Sequence, residues 1–326
     1  MKDPVKIRYF HNAVEKLLCN MPKDLNEIEK ARYIYLNLGL LFCYDERYFF
    51  GNSKMQNKIY HSIRNKKIDY KEIKEKTKKR VVCISMADFF KTVLSNVGIE
   101  AKNYQPDLLD SHTITQMFIS DENGNKHLYL ADLNNDLKFI QLKLPTRNFC
   151  SFGENIITPV DLKEIDQKLD YNYTGVSEIQ NSIEKVKSAF SKSSTLGEKL
   201  KTALEYASSV SGVKDLAFVE STSFYKYFLR HSFDKKDLNS IKNNIIYQKS
   251  DNGFRKNFLS LYTAVETKNN FDGKNVSNYT YFIYSNVDKK FNEISKDDLI
   301  NFISQKNFSI YNSESIPGIR DFEISR

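Results

Sequence analysis

An α+β fold is predicted for this chain: a helix that begins with a cysteine, packed on an antiparallel sheet bearing a histidine and an aspartate, then a further α+β region. Three observations predict it. Cys83, Ala87, Phe90, Leu94 and Val97 step by four, three, four and three, one face of an α-helix. Thr113–Ser120 and Lys126–Ala131 read as strands on either side of the polar turn DENGN. Further along, Tyr279–Tyr284 (YTYFIY) reads as a strand, and Ser295-Lys296-Asp297-Asp298 reads as the cap of a closing helix that runs through Gln305.

In chain order, His11–Cys19 is predicted helical and ends near Met21-Pro22-Lys23. Asn26–Phe42 follows as a helix with Ala31, Ile34, Leu38 and Leu41 on one stripe. Tyr44–Ser53 reads as an aromatic loop, and Lys54–Lys79 as a polar helical connector. The cysteine helix ends at Gly98, which suits a left-handed position just past a helix, and Ile99–Lys102 looks extended. After the hairpin, Phe139–Leu142 is a further strand candidate. The turn-like SFGEN and Pro159 inside Thr146–Asp161 suggest a boundary, giving regions 1–160 and 161–326. Within the second region Val176–Val210 is predicted helical, while Phe218–Phe233 is aromatic without a clear period. His231 reads as a surface or core histidine.

The chemistry concentrates between Cys83 and Asp132. A thiol nucleophile needs a sulfur, a base to take its proton, and a carboxylate to orient that base. Cys83 falls in the first turn of its helix, where main-chain N–H groups and the helix dipole favour a thiolate, and the basic run Lys76–Arg80 lies just upstream. Alone, a cysteine on an apolar stripe reads as a core residue. The hairpin changes that reading. A turn centred near Glu122–Asn123 sets His112 opposite Asp132, with Cβ atoms about 4.5–5.5 Å apart. The catalytic candidates are therefore Cys83, His112 and Asp132. The Cys83 main chain, Asn52 and Gln56 are candidate oxyanion-hole donors.

That order of a Cys-helix, a His-strand and an Asp-strand resembles the transglutaminase-like branch of the papain-like cysteine enzymes. The matching residues are Cys83, Ala87, Phe90 and Leu94, then Gly98-Ile99-Glu100-Ala101, Ser111-His112, and Tyr129-Leu130-Ala131-Asp132. Upstream, Ile28–Phe49 is similar to the family's leading helix followed by a tyrosine–aspartate segment. The resemblance spans roughly Glu27–Asp136, about a third of the chain. It implies a papain-like core with a Cys-His-Asp triad and acyl-transfer chemistry that needs no cofactor or metal. Three positions depart from the family. Val81 replaces a usual glycine, the chain has no tryptophan after His112 or anywhere else, and Leu133-Asn134 replaces the usual proline and threonine. These imply a substrate groove unlike that of a standard member.

Composition narrows the classes. Hydrophobic residues at 40% and aromatics at 13% are those of a core-forming chain, since disordered segments lack both. No apolar run approaches the roughly 18–20 residues of a membrane span, and MKDPVKIRYF lacks a signal-peptide core. Cys19, Cys43, Cys83 and Cys150 are scattered with no metal-ligand spacing, so they read as reduced thiols. That points to the cytoplasm, or to delivery from it without an N-terminal signal peptide. The net charge of +8 admits an acidic partner, but bases and acids interleave, and Asn65–Arg80 reads as a solvated face rather than a nucleic-acid site. The expected activity is that of a thiol protease or amidase acting on protein or peptide carboxamides. The alternatives are a protein glutamine deamidase or transglutaminase, including an effector acting on another organism's proteins, and a non-catalytic partner-binding module on the same fold. Residues 161–326 carry no recognisable chemistry and are read as a substrate-recognition element.

Overall fold

Asn26 opens the first long helix with a capping box. Its side chain accepts from the Glu29 N–H (3.0 Å), and the Glu29 carboxylate accepts from the Asn26 N–H (2.9 Å). This helix, α1 (Glu27–Leu41), buries Ala31, Ile34 and Leu38, but Leu41 is turned to solvent, 46% exposed, so the stripe ends one turn earlier than expected. The structure, a computed structural model, describes residues 15–45, 79–105, 112–154, 156–193, 195–212, 216, 222–233, 240–249, 255–271, 274–285, 290–304 and 308–311. Of the expected first helix, residues 15–19 are helical. All of the aromatic loop but Tyr44 and Asp45, and all of the polar connector but Lys79, lie outside the described residues, and with them Asn52 and Gln56.

The chain divides into two compact units, one built by the described residues up to Gly175 and one by those from Val176 onward. In the first, β1 (Phe42–Tyr44) pairs in parallel with β2 (Lys79–Val81), and α2 (Cys83–Asn96) follows. Gly98 at φ +83° closes α2. The Ile99 N–H reaches the Leu94 carbonyl (3.0 Å) and the Gly98 N–H reaches that of Ser95 (3.3 Å). Next come β3 (Glu100–Tyr104), β4 (Ile114–Ser120), β5 (Lys126–Ala131), α3 (Leu133–Gln141), β6 (Phe149–Gly153), β7 (Ile156–Pro159) and α4 (Lys163–Lys168). The five strands form one antiparallel sheet in the order β3-β4-β5-β6-β7. Met86, Phe90 and Leu94 of α2, Ile34 of α1 and Ile140 of α3 pack with Met117 and Ile119 of the sheet in one core.

Two expectations are corrected here. Phe139–Ile140 belongs to α3, not to a strand: Asp132 caps the helix by accepting from the Asn135 N–H (3.1 Å), and Leu133, Leu137 and Ile140 bury one face. SFGEN is no boundary either, because it lies at the turn of the β6–β7 hairpin. The unit continues to Gly175 because α4 completes its core. Arg32 and Asp166, both fully buried, form a two-pronged ion pair, Nε–Oδ1 2.7 Å and Nη2–Oδ2 2.8 Å. Tyr173 donates a further bond to Asp166 (2.8 Å).

The second unit is also mixed α+β. It comprises α5 (Val176–Phe190), α6 (Leu196–Ser211), α7 (Ser223–Ser232), β8 (Ser240–Lys249), β9 (Arg255–Phe271), β10 (Lys274–Ser285), β11 (Lys290–Ile294), α8 (Lys296–Ser304) and β12 (Phe308–Tyr311). The expected single helical stretch is two helices, because Thr195 starts α6 with its own capping box to Glu198. The aromatic stretch without a period contains α7, capped by Thr222. Its antiparallel sheet runs β11-β10-β9-β8-β12. Tyr281 and Phe282, neighbours that point to opposite faces of β10, are both buried, so the sheet is covered on both sides there. Ser295 caps α8 as the sequence suggests, accepting from the Asp298 N–H (3.0 Å). Among the described residues no helix is long and apolar enough to cross a membrane.

Candidate functional site

Cys83 is the first residue of α2, preceded by Val82 in extended conformation. Valine has no side-chain acceptor, so this helix start carries no side-chain cap, and the first turn holds no acidic residue. The positive end of the helix is therefore not offset by a carboxylate of its own first turn. Packing of Ala87, Phe90 and Leu94 against the core fixes the rotation of α2 and with it the direction of Cys83, which is 9% exposed.

His112 stands just ahead of β4, and Asp132 follows directly on β5. The register differs from the expected one. Thr115 pairs with Ala131 and Ser120 with Lys126, so continuing the ladder sets Ile114 opposite Asp132 and leaves His112 two residues further out on the same face. The shift arises in the turn. Asp121 accepts from the N–H groups of Asn123 (2.9 Å) and Asn125 (2.8 Å), and Gly124 takes φ +81°, making a five-residue loop that centres on Asn123. The pair meets diagonally instead, through the far nitrogen of the ring: His112 Nε2 lies 2.7 Å from Asp132 Oδ2.

Nε2 is engaged by Asp132, and Cys83 lies close enough to His112 for its sulfur to favour the charged imidazole. Both members of the His112–Asp132 pair are nearly buried, their side chains 14% and 12% exposed. Burial opposes the charged imidazole, but the adjacent Asp132 carboxylate and the Cys83 sulfur outweigh it and hold His112 well above the ordinary histidine range. The three residues thus form one linked chain, sulfur to imidazole to carboxylate. Such a chain can pass a proton from a thiol to a base and keep the resulting cation in place.

Sequence reasoning missed the supports of this chain. Asn135 donates to Asp132 twice, main chain to Oδ1 (3.1 Å) and Nδ2 to Oδ2 (2.6 Å). Asp136, Tyr35 and Asn148 surround the Asp132 peptide. The usable signal was an Asp at a strand end directly before the apolar Leu133, with the acidic Asp136 in the first turn, which reads as a capped helix start. Among the described residues no group of His, Cys, Asp or Glu is arranged to hold a metal. No family model matches the chain, and no curated protein or solved structure matches it.

Proposed function

We propose that this chain is a cysteine-dependent acyl-transfer enzyme, acting as a thiol protease or amidase on protein or peptide carboxamides. The single observation that carries the reading is the linked chain of Cys83, His112 and Asp132, with Cys83 at a helix start and the other two at the ends of adjacent strands. In this reading the Cys83 sulfur, its proton taken by His112, attacks the carbonyl carbon of the substrate. A carbon–sulfur bond forms and the carbonyl electrons move onto oxygen. Collapse expels the amine, which takes the proton back from His112, and leaves a thioester on Cys83. Water, deprotonated by the same histidine, then releases the acid and frees the thiol. Asp132 fixes the orientation of the ring, and it stabilises the cation. The Cys83 main-chain N–H, at the positive end of α2, is the candidate donor to the oxyanion.

The likeness to transglutaminase-like and papain-like enzymes rests on the same residues and their order along the chain, and it supports acyl transfer as the reaction class. The second unit is proposed to recognise the protein substrate.

Trapping the acyl-enzyme tests the function. Incubation with an activated ester or a glutamine-containing peptide, followed by acid quench and peptide mass mapping, should find an acyl group on Cys83. The adduct should vanish in Cys83→Ala and fall sharply in His112→Ala. An adduct on another cysteine, or none under conditions where Cys83 is intact and the fold is native, would refute the assignment.

A further inference from the structure

Asp136 is a second carboxylate one helical turn beyond Asp132, and it is fully buried. An ionised carboxylate without water is stable only when its oxygens are satisfied by donors, and these are. The Arg147 N–H reaches both oxygens (3.0 and 3.2 Å), the Asn148 N–H reaches Oδ2 (2.9 Å), and Asn148 Nδ2 reaches Oδ1 (2.7 Å). The Tyr35 hydroxyl lies 2.9 Å from Oδ2 and also 2.9 Å from the Asp132 carbonyl, so its single proton is shared between the two acceptors.

The same groups close on the main chain of Asp132. Its N–H donates to the Asn148 carbonyl (2.8 Å), and its carbonyl accepts from the Tyr35 hydroxyl (2.9 Å). The result is a ring: the Asp132 N–H donates to the Asn148 carbonyl, Asn148 donates to the Asp136 carboxylate, and the Tyr35 hydroxyl bridges that carboxylate and the Asp132 carbonyl with its one shared proton. Tyr35 comes from α1, Asp136 from α3, and Asn148 from the segment entering β6, so three separate elements hold the two peptide groups that flank the Asp132 α-carbon. Tyr35 is itself immobilised, fully buried with its ring edge-on to Phe90 and Phe149, both 5.5 Å between centroids. A helix needing only a start is already served by the Asp132 cap. The additional buried carboxylate, its pKa raised by burial, instead holds Tyr35 and Asn148, the two groups bonded to the main chain of the residue whose side chain holds His112.

We propose that Asp136 and Tyr35 are positioning residues that set the aim of Asp132 at His112 by clamping its main chain. This rests on the reading of Cys83, His112 and Asp132 as a working set. The clamp fixes where the Asp132 backbone sits, Asn135 fixes the carboxylate on it, and together they hold Oδ2 at bonding distance from Nε2. Loosening the ring lets the carboxylate drift from the imidazole, the imidazolium loses its partner, and the sulfur loses the base that keeps it reactive near neutral pH.

The test is the rate of Cys83 alkylation by iodoacetamide as a function of pH, read by mass mapping in the full chain. The variants are Tyr35→Phe, Asp132→Asn and the two combined, with Tm measured for each. Tyr35→Phe removes one hydroxyl and keeps the ring packing. It should slow alkylation at neutral pH by about tenfold, the scale of outer groups that orient a reacting side chain, and move the rise of the profile to higher pH. In the Asp132→Asn background it should add nothing, because its effect passes through Asp132. A Tyr35→Phe profile that superimposes on the wild type overturns the proposal, and so does equal slowing in both backgrounds, the mark of a merely structural role. If Asp132→Asn itself alkylates like the wild type, the set of three fails, and the clamp fails with it. Should Tyr35→Phe not fold, Asn148→Ala, which removes a single side-chain donor from the ring, is read by the same criteria.

Discussion

Replacing Asp166 by asparagine keeps the shape of the side chain and removes its charge, leaving the Arg32 guanidinium fully buried beside an amide. Arg32 and Asp166 are both 0% exposed, and the pair is closed at two points, 2.7 and 2.8 Å. No other acceptor stands ready: among the described residues Arg32 Nη1 has no hydrogen-bond partner, and the neighbours of the guanidinium include the Tyr35 and Phe149 rings at 5.5 and 5.8 Å. Breaking a buried pair by removing one partner costs about 3–5 kcal/mol. In a unit of this size each kcal/mol moves Tm by about 2–4 °C, so Asp166→Asn should lower the transition of the first unit by about 6–20 °C. Differential scanning calorimetry reads it directly. The exposed pair Lys126–Glu100, of similar length at 3.0 Å but 59% and 65% exposed, is the control, and Glu100→Gln should leave Tm within about 2 °C of the wild type. A drop of under about 2 °C for Asp166→Asn would refute the claim that α4 and its carboxylate seal the first core.

Other outcomes follow from the same structure. Cys83→Ala should abolish acyl transfer with Tm nearly unchanged, whereas Asp132→Asn should weaken turnover without eliminating it, since a misoriented imidazole still acts occasionally. Steady-state assays beside thermal melts separate the two, and equal loss with unfolding in both would mark these residues as structural. His112 is held above its unfolded value, so its bond to Asp132 stabilises the fold fully below about pH 6.5 and less as pH rises through the raised value. Urea melts should therefore show the gap between wild type and His112→Gln widest on the acid side and narrowing with rising pH; a gap that widens instead reverses the sign. Gly98→Ala should cost about 1–2 kcal/mol by backbone strain alone, because φ is +83° and a Cβ there meets nothing within 4 Å. An unchanged Tm would contradict the left-handed closure of α2.

What the sequence disclosed depended on how local its physics was. α2 was legible because its apolar stripe and the closing Gly98 lie within one stretch, and the β4–β5 hairpin because its turn chemistry is contiguous. The register was not, since only the fold of the Asp121–Asn125 loop decides between neighbouring alignments. α3 was hidden because Asn134 and Asn135 are weak helix formers and Phe139-Ile140 reads as strand; the Asp132 cap and the burial of Leu133, Leu137 and Ile140 decide it. Strands β8 and β9 are rich in Asn and Lys and take their state from their partners rather than from alternation. Nothing local could assign Asp166 to Arg32, 134 residues away, or bring Tyr35 to the Asp132 carbonyl, 97 residues away. The candidate residues Cys83, His112 and Asp132 were readable by type and order, while the groups that hold them were not.

Competitive alkylation of the cysteines tests the central claim most directly, because burial and chemistry order them oppositely. Cys19 is exposed, Cys43 and Cys150 are half-buried, and Cys83 is the buried one. Labelling governed by access alone would modify Cys19 first and Cys83 last. With substoichiometric iodoacetamide near pH 6.5, the account predicts that Cys83 is carbamidomethylated first, and that His112→Ala removes the preference. Labelling of Cys83 at or below the rate of Cys19, unchanged by His112→Ala, would contradict it.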